Sequence, residues 1–420
     1  MNERLKHKIK HNSQRFAASV KWIIFSILSG LIIGTIGSAF YHCVKTVTVL
    51  RQENPWLLFF LPVGGLLIVG LYQLFKDEND TGTNLVLSAI HSNEEIPLRM
   101  APLIFLSTLI THLFGGSAGR EGAALQIGGS IGGSLGRLFH FNEKDRHIMI
   151  MCGMSAAFTA LFGTPMAAAI FSIEVVSVGI MHYSALVPCV ISALVSQAVA
   201  SHFGIKADAF PLEDLPAFSL KPAILVALLA ILSALVSILF CIILHQFDYL
   251  YKRFFKNRYL RIFLGGILVV LLTLLVGNQD YNGSGIAVIE RCMEGDAIAG
   301  YAFFLKILFT ALTLGAGYKG GEIVPSFFIG GTFGYLFASL TGFSPTLSIA
   351  VGMTSVFCGV TNCPITSLLI SFELFGYEGM PFFLLAVALS YMLSGYYGLY
   401  LSQKIIYSKY KTEYINRKTH

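Results

Sequence analysis

Two glycine-rich runs, each leading directly into an apolar stretch, carry the residues best suited to chemistry in this sequence. The first is GGSAGREG at residues 115–122, and the second is GGEIVP at residues 320–325. The first amides of a helix lack intrahelical acceptors and carry about half a positive charge, and glycine lets a dehydrated anion approach them. Such helix ends would bind an anion without a full positive charge that prevents release. The alternative role, close helix packing, is weaker for a repeated pair of runs than for one.

Glu121 is the ionisable residue that the first run places at a helix N-terminus. A carboxylate there occupies the position that an anion would take, and its protonation removes that competition. Glu121 is therefore a candidate gate, proton carrier or both, with Arg120 as its structural partner. Glu174 and Glu373 end two further apolar segments, and we interpret them as structural hydrogen-bonding groups.

An internal duplication relates the two halves of the chain. Five landmarks recur 199 to 203 residues apart. Two of them are TP 164–165 with CP 363–364 and the apolar runs that follow these prolines, which end at Glu174 and Glu373. The other three are GR 119–120 with YK 318–319, IGGS 127–130 with IGGT 329–332, and TGT 81–83 with SGI 284–286. Duplicated membrane halves usually meet near the bilayer midplane, where the solute binds. We expect the two halves to have inverted topology.

The composition places these motifs in a membrane. The 420 residues are 55% hydrophobic and 12% charged, with a mean hydropathy of +0.70, which excludes a soluble, a disordered or a secreted disulfide-rich protein. The seven cysteines form no C-x-x-C pair and are expected as buried thiols. Several apolar segments are shorter than the ~20 residues that cross a bilayer, and glycine or proline interrupts many of them. This pattern predicts broken and half-crossing helices.

Basic residues are concentrated at both ends of the chain, beside long apolar runs. This predicts a multi-pass protein of the cell membrane with both termini cytoplasmic; nucleic-acid binding is a weak alternative, and no cleaved signal peptide is expected. We divide the chain into a cytoplasmic basic N-terminal segment (1–18), a first membrane repeat (19–210), a linker (211–222), a second membrane repeat (223–403) and a cytoplasmic basic C-terminal tail (404–420).

These motifs resemble those of the CLC family of chloride channels and proton-coupled anion antiporters. GREG at residues 119–122 matches the family's G-R-E-G-P, with Ala123 in place of proline, and residues 320–325 match G-G-x-F-x-P, with Ile323 in place of phenylalanine. The FSIEV run at 171–175 and GLY at 398–400 also fit. The resemblance extends from about residue 20 to 407 and is to bacterial members without cytoplasmic CBS domains.

The resemblance implies an all-α polytopic membrane fold of two inverted repeats, and a homodimer with one anion pathway in each subunit. It implies that Glu121 is the external gate, that the Tyr400 hydroxyl completes the central site, and that Thr81 stands where the family has an anion-coordinating serine. The other anion-binding positions that it implies are Gly119, Arg120, Gly122, Ala123, Gly321, Glu322, Ile323 and Val324. No metal and no organic cofactor is expected, only a bound chloride or other halide.

Val175 decides which function the sequence favours. Antiporters of this family commonly carry an internal proton-transfer glutamate at that position. Without it an inner proton would have to travel through water alone, so the sequence favours a passive or weakly proton-coupled chloride channel with a glutamate gate. The alternative is a fluoride/proton or chloride/proton antiporter, because some fluoride-exporting members also lack the inner glutamate.

Two other classes of protein have little support in the sequence. The GSG run at residues 283–285 offers a serine for an intramembrane protease, but no histidine lies in a comparable motif. The protein is therefore not expected to be an enzyme, and a cation-coupled solute carrier is a minor alternative. The expected partners are small inorganic anions, protons if transport is coupled, and the lipid bilayer.

Overall fold

The computed structural model of this chain describes residues 3–77, 80–92, 94–213 and 215–420, with side chains from residue 16 onward. Asp214 of the predicted linker and the side chains of the basic stretch 1–15 therefore lie outside the described residues. The first half of the fold contains α1 (Glu3–Glu53), α2 (Leu61–Leu74), α3 (Thr83–His91), α4 (Met100–Leu113), α5 (Glu121–Leu138), α6 (Glu143–Phe162), α7 (Pro165–Glu174) and α8 (Leu186–His202).

The second half repeats this order of helices. It contains α9 (Leu220–Phe254), α10 (Arg258–Val276), α11 (Ile286–Met293), α12 (Ala302–Ala316), α13 (Ile323–Thr341), α14 (Pro345–Thr361), α15 (Pro364–Phe375) and α16 (Met380–Leu393). Between the halves, residues 203–213 and 215–219 form no helix or strand, and α9 begins at Leu220, inside the predicted linker 211–222. The predicted boundary at residue 18 is not a structural break, because α1 runs through it.

Six helices of the described chain are long and apolar enough to cross a membrane. Several others, including α7 and α15, have only 10 to 17 residues. Their lengths follow from the sequence: α14 is capped after Thr361 by Asn362, which has a left-handed backbone (φ 58°), and α15 starts two residues later at Pro364. Gly163 and Pro165 separate α6 from α7 in the same way. The broken, half-crossing helices expected from the sequence are therefore present.

Close packing explains the glycines inside the helices. A Cβ atom on Gly128 of α5 would lie 2.1 Å from the carbonyl oxygen of Gly153 on α6, and one on Gly330 of α13 would lie 2.3 Å from that of Gly352 on α14. No side chain fits at these distances, so α5–α6 and α13–α14 form two equivalent glycine-packed pairs. The glycines within these helices serve packing, whereas those at 119–122 and 320–321 lie at helix ends.

Reciprocal contacts relate the two halves by an approximate two-fold axis. Gly119 and Gly321 exchange backbone hydrogen bonds of 2.6 and 2.8 Å. Glu174, at the end of α7, accepts hydrogen bonds from the first amides of α15, and Glu373, at the end of α15, accepts them from the first amides of α7. The sequence alignment of Arg120 with Lys319 was wrong, because the Gly119–Gly321 pair makes Glu322 the counterpart of Arg120.

The direction of α1 is opposite to that of α9 across the fold. Lys21 pairs with Asp145 at the start of α6, whereas His42 Nε2 lies 3.0 Å from the carbonyl oxygen of Phe203, just after α8. The chain continues from Phe203 into α9, which therefore begins on the side where α1 ends. This is the arrangement expected for inverted repeats.

The basic segment 404–420 is not a free tail. It forms β2 (Lys404–Tyr407) and β3 (Tyr414–Lys418), which are antiparallel, and β2 pairs in parallel with β1 (Ser177–Val178). This small sheet, which the sequence did not predict, is an addition to the expected, mostly helical fold. The side of the molecule that carries this sheet and the first turn of α6 is named the tail face. The other side is named the opposite face.

We expect Glu174→Ala to destabilise the fold strongly. It would leave the Ile365 and Thr366 amides and the Thr366 hydroxyl without the carboxylate that accepts from them, a loss of about 3 kcal/mol in unfolding free energy. Thermal unfolding of the purified protein in detergent measures the effect. Glu378→Ala removes an exposed glutamate and is the matched control; equal melting temperatures for the two variants would refute the structural role of Glu174.

Candidate functional site

The backbone pairing of Gly119 with Gly321 brings the N-termini of α5 and α13 together. A Cβ on Gly321 would lie 2.4 Å from the amide nitrogen of Gly122, and one on Gly320 would lie 2.5 Å from the Cβ of Ala118. Only glycine allows the two loops to approach this closely. Two positive helix ends therefore meet inside the protein, an arrangement that favours negative charge between them.

Glu121 is the first residue of α5 and is fully buried. Its Oε2 accepts a hydrogen bond of 2.9 Å from the Arg120 amide, and Arg120 Nε lies 3.4 Å from its Oε1. The Arg120 guanidinium stacks 4.5 Å from the ring centre of Tyr41 and donates to the carbonyl oxygen of Leu161. Arg120 is thus held in place by protein groups beside Glu121.

A cavity of about 890 Å³ opens from the tail face and reaches the start of α13. Five polar atoms of its lining residues have no hydrogen-bond partner among the described residues: Glu322 Oε2, Gln126 Oε1, Arg261 Nε and the hydroxyls of Tyr72 and Tyr400. Unpartnered polar atoms away from bulk water are unfavourable, and water or a ligand normally satisfies them. The inner end of the cavity is therefore built to hold polar or ionic groups.

Glu322 is the N-cap residue of α13 and lies on the cavity wall. Its Oε2 would be 3.4 Å from a Cβ on Gly122, which places the carboxylate against the first turn of α5. The sequence analysis included Glu322 as an anion-binding position because of its backbone amide. It gave no role to the carboxyl group of Glu322. The available signal was its position in the duplication, where it corresponds to the charged residue next to Glu121.

The structure divides the remaining sequence-based candidates between the cavity wall and the protein interior. Thr81 is exposed on the wall; Thr83, which was not considered, is buried and accepts a hydrogen bond from Gln126. The other positions, Gly119, Gly122, Ala123, Gly321, Ile323 and Val324, are buried in or just before the first turns of α5 and α13.

Five phenylalanines form a closed ring of aromatic contacts that includes Phe327, close to the start of α13. Neighbouring ring centres are 4.8 to 6.3 Å apart in the order Phe158, Phe162, Phe327, Phe357 and Phe171. Phe162 meets Phe327 edge to face, at an interplanar angle of 89°. In that pair the partially positive edge of one ring meets the negative face of the other, and the cluster packs α6, α7, α13 and α14 against one another.

Val175 is fully buried, and its carbonyl oxygen accepts a hydrogen bond from Gln403. Gln403 also bonds to Asn362, whose Nδ2 donates to the carbonyl oxygen of Tyr397. This network anchors both ends of the loop that carries Tyr400. Val175 thus supports the loop through its backbone and contributes no ionisable group.

The segment that follows β2 completes the support of Tyr400. Thr419 Oγ1 donates to the carbonyl oxygen of Tyr400 at 2.6 Å, and the Thr419 amide donates to that of Gln403. Lys409 Nζ bonds to Asn362 and to the carbonyl oxygen of Tyr391. The predicted tail is therefore part of the site, because it fixes the backbone from which the Tyr400 hydroxyl reaches the cavity.

Comparison with known proteins agrees with this geometry. Residues 64–395 match the family model described as voltage gated chloride channel. A relative from Pseudomonas syringae pv. tomato, named chloride/fluoride channel protein, is 34% identical over 397 residues, 93% of this chain and 88% of the relative. An H(+)/Cl(-) exchange transporter of Vibrio cholerae is 26% identical over 386 residues, 84% of this chain and 81% of the transporter.

Two solved structures share the fold. The crystal structure of a CLC-type fluoride/proton antiporter has a TM-score of 0.88 and 32% identity, covering 91% of this chain and 98% of that one. A slow cyanobacterial Cl-/H+ antiporter has a TM-score of 0.76 and covers 89% and 94% of the two chains; at 19% identity it shows the fold alone. The expected family and the multi-pass helical fold are confirmed: this chain belongs to the CLC family of membrane anion-transport proteins.

Proposed function

We propose that this protein exchanges fluoride for protons across the membrane, which favours the antiporter alternative over the chloride channel that Val175 suggested. One observation carries the proposal: two carboxyl groups, Glu121 and Glu322, flank the paired glycine loops. Glu121 is enclosed, and Glu322 lines the cavity with one oxygen unpartnered. Carboxyl groups inside membrane proteins commonly carry protons.

Glu322 replaces the proton route that position 175 does not provide. Water in the cavity reaches Glu322, which takes up a proton there. Glu121 takes up or releases a proton towards the opposite face when its carboxylate leaves the helix end. Because an anion and the Glu121 carboxylate compete for the same helix N-terminus, binding of one favours protonation or departure of the other. This competition couples the two ions without an acid at Val175.

The chemistry of the site suits fluoride in particular. Fluoride is small and strongly hydrated, so its dehydration requires strong hydrogen-bond donors. A protonated Glu322, the Tyr400 hydroxyl and the first amides of α13 would supply them. The names of the relative that is 34% identical and of the structure that is 32% identical, both of which mention fluoride, support this choice of anion.

We propose that the tail face is cytoplasmic, because the basic residues at both ends of the chain follow the positive-inside rule. The cavity would then open to the cytoplasm and Glu121 would control access from outside. We also propose the homodimer that the family resemblance implies. Exposed apolar side chains on α8, α15 and α16, such as Leu194, Ile365 and Leu384, offer a surface for the second subunit.

Liposomes containing the purified protein should release fluoride faster than chloride. We expect the initial rates, recorded with ion-selective electrodes, to differ by roughly tenfold or more, which corresponds to about 1.4 kcal/mol. Protein-free liposomes give the background leak. Equal rates, or faster chloride efflux, would contradict the choice of fluoride while leaving anion transport intact.

Proton coupling has its own test, in liposomes with equal fluoride on both sides and the voltage clamped to zero. Acidifying the side that faces the Glu121 end should drive fluoride towards that side and build up a fluoride gradient, as protons move the other way. Glu322→Gln should reduce this pH-driven movement by about 10²-fold, since it removes the proton carrier on the cavity side. Passive HF permeation is subtracted with protein-free liposomes, and a lack of driven movement in the wild type would indicate a channel.

Glu121→Gln should make fluoride transport nearly independent of pH. The amide cannot be deprotonated and so resembles the protonated glutamate, while its size is almost unchanged. Rates are measured from pH 5 to 8 for the variant and the wild type. A variant that kept the wild-type pH dependence would exclude Glu121 as the gate.

Thr419→Val should weaken anion binding from the cavity side by displacing Tyr400. Loss of the hydrogen bond to the Tyr400 carbonyl costs about 1 kcal/mol, which should raise the KM for fluoride about fivefold with little change in the maximal rate. Thr419→Ser keeps the hydroxyl and should restore the wild-type KM. If the maximal rate fell and the KM did not change, Thr419 would have a general structural role only.

A further inference from the structure

The duplication gives the helix end that lines the cavity a counterpart on the opposite face. TGT at 81–83 leads into α3, which starts at Thr83, and lies on the cavity wall; SGI at 284–286 leads into α11, which starts at Ile286. Gln279, just before this second segment, donates to the carbonyl oxygen of Pro55, which directly follows α1. The N-terminus of α11 therefore lies near the far end of α1, away from the cavity.

The backbone before α11 presents free amide groups. Gly283 and Gly285 have left-handed conformations (φ 62° and 88°), and alternating conformations of this kind turn successive amides towards one point. The amides of Ser284, Gly285 and Ile286 donate no hydrogen bond within the described part of the chain. All three residues are partly exposed, so a solute from the opposite face can reach them.

Arg51 supplies an independent sign that a ligand belongs here. Its side chain is 5% exposed, and its Nε and Nη1 have no hydrogen-bond partner among the described residues. The two terminal nitrogens lie 3.0 and 3.2 Å from the position that a Cβ on Gly283 would occupy. An arginine is always charged, and a shielded guanidinium without a counter-ion is strongly unfavourable. No described carboxylate forms an ion pair with it.

Lys306 fixes the orientation of this loop. Its side chain is fully buried, and Nζ donates to the carbonyl oxygens of Tyr281 and Gly283 at 3.1 and 2.7 Å. The Phe328 ring lies 5.2 Å from Nζ. Because Lys306 occupies the loop carbonyls, the amides of residues 284–286 remain available as hydrogen-bond donors to another partner.

We propose that Arg51 and the amides of residues 284–286 bind a small inorganic anion from the opposite face, at a second site outside the transport pathway. The anion neutralises Arg51 and accepts hydrogen bonds from the helix end. The site contacts the loop before Glu121, since Asn282 Nδ2 donates to the Gly115 carbonyl at 2.7 Å and the Gly283 amide donates to that of Gly116. Anion binding therefore stabilises the loop at residues 115–120, which leads to Glu121.

Crystals of the whole protein soaked in bromide test this site directly by anomalous scattering. We expect a peak within hydrogen-bonding distance of the Arg51 guanidinium and the 284–286 amides. Arg51→Met should abolish that peak, whereas Arg253→Met, which removes an exposed arginine near the end of α9, should leave it. A wild-type map with no peak there, or a peak that survives Arg51→Met, would overturn the proposal.

A solution measurement covers the case in which Arg51→Met does not crystallise. Bromide should raise the melting temperature of the wild type in a concentration-dependent way, and by less in Arg51→Met; an equal rise in both would count against the site. Fluoride/proton exchange measured on the same wild-type preparation is independent of this result. Failure of the second site and failure of the proposed transport are therefore distinguished.

Discussion

The approach of two helix N-termini inside the membrane is the constraint on which the other features depend. Helix ends of the same polarity repel, and side chains would normally keep them apart. Here the backbones of Gly119 and Gly321 bond to each other directly, which is sterically allowed because neither residue has a Cβ. The resulting concentration of amide dipoles requires negative charge nearby, from a carboxylate or from an anion. Alternation between these two occupants is the basis of the coupled transport that we propose.

The surroundings of this point differ on its two sides. Towards the tail face, the cavity reaches Glu322, Gln126 and Tyr400. Away from the cavity, Glu121 is enclosed and held by Arg120. The two-fold related positions next to the paired glycines thus carry opposite charges, Arg120 in one half and Glu322 in the other. The two-fold symmetry of the duplicated scaffold sets the positions of the two helix ends. The side chains beside them differ, so the site is not the same on its two sides.

Local sequence signals predicted the scaffold well. Helix breaks at Pro165 and Pro364, and the glycine runs before α5 and α13, depend on the conformational limits of single residues, which can be read without the fold. The acid group of Glu322 was missed because its role depends on a cavity formed by distant segments. The strands in residues 404–420 were missed for a similar reason: a short basic stretch resembles a solvated tail until its partner at Ser177–Val178 is known.

The exchange of glutamates between α7 and α15 has a consequence for how the protein is made. Each half ends a short helix with a carboxylate, and all the hydrogen bonds that this carboxylate accepts from described residues come from the other half. When the first half leaves the ribosome, Glu174 and the first amides of α7 have no partners, and lipid provides none. We expect these groups of the first half to stay bonded to water or to the insertion machinery until the α15 segment is synthesised. Biogenesis of this protein is thus a joint event for both halves and not the sum of two independent insertions.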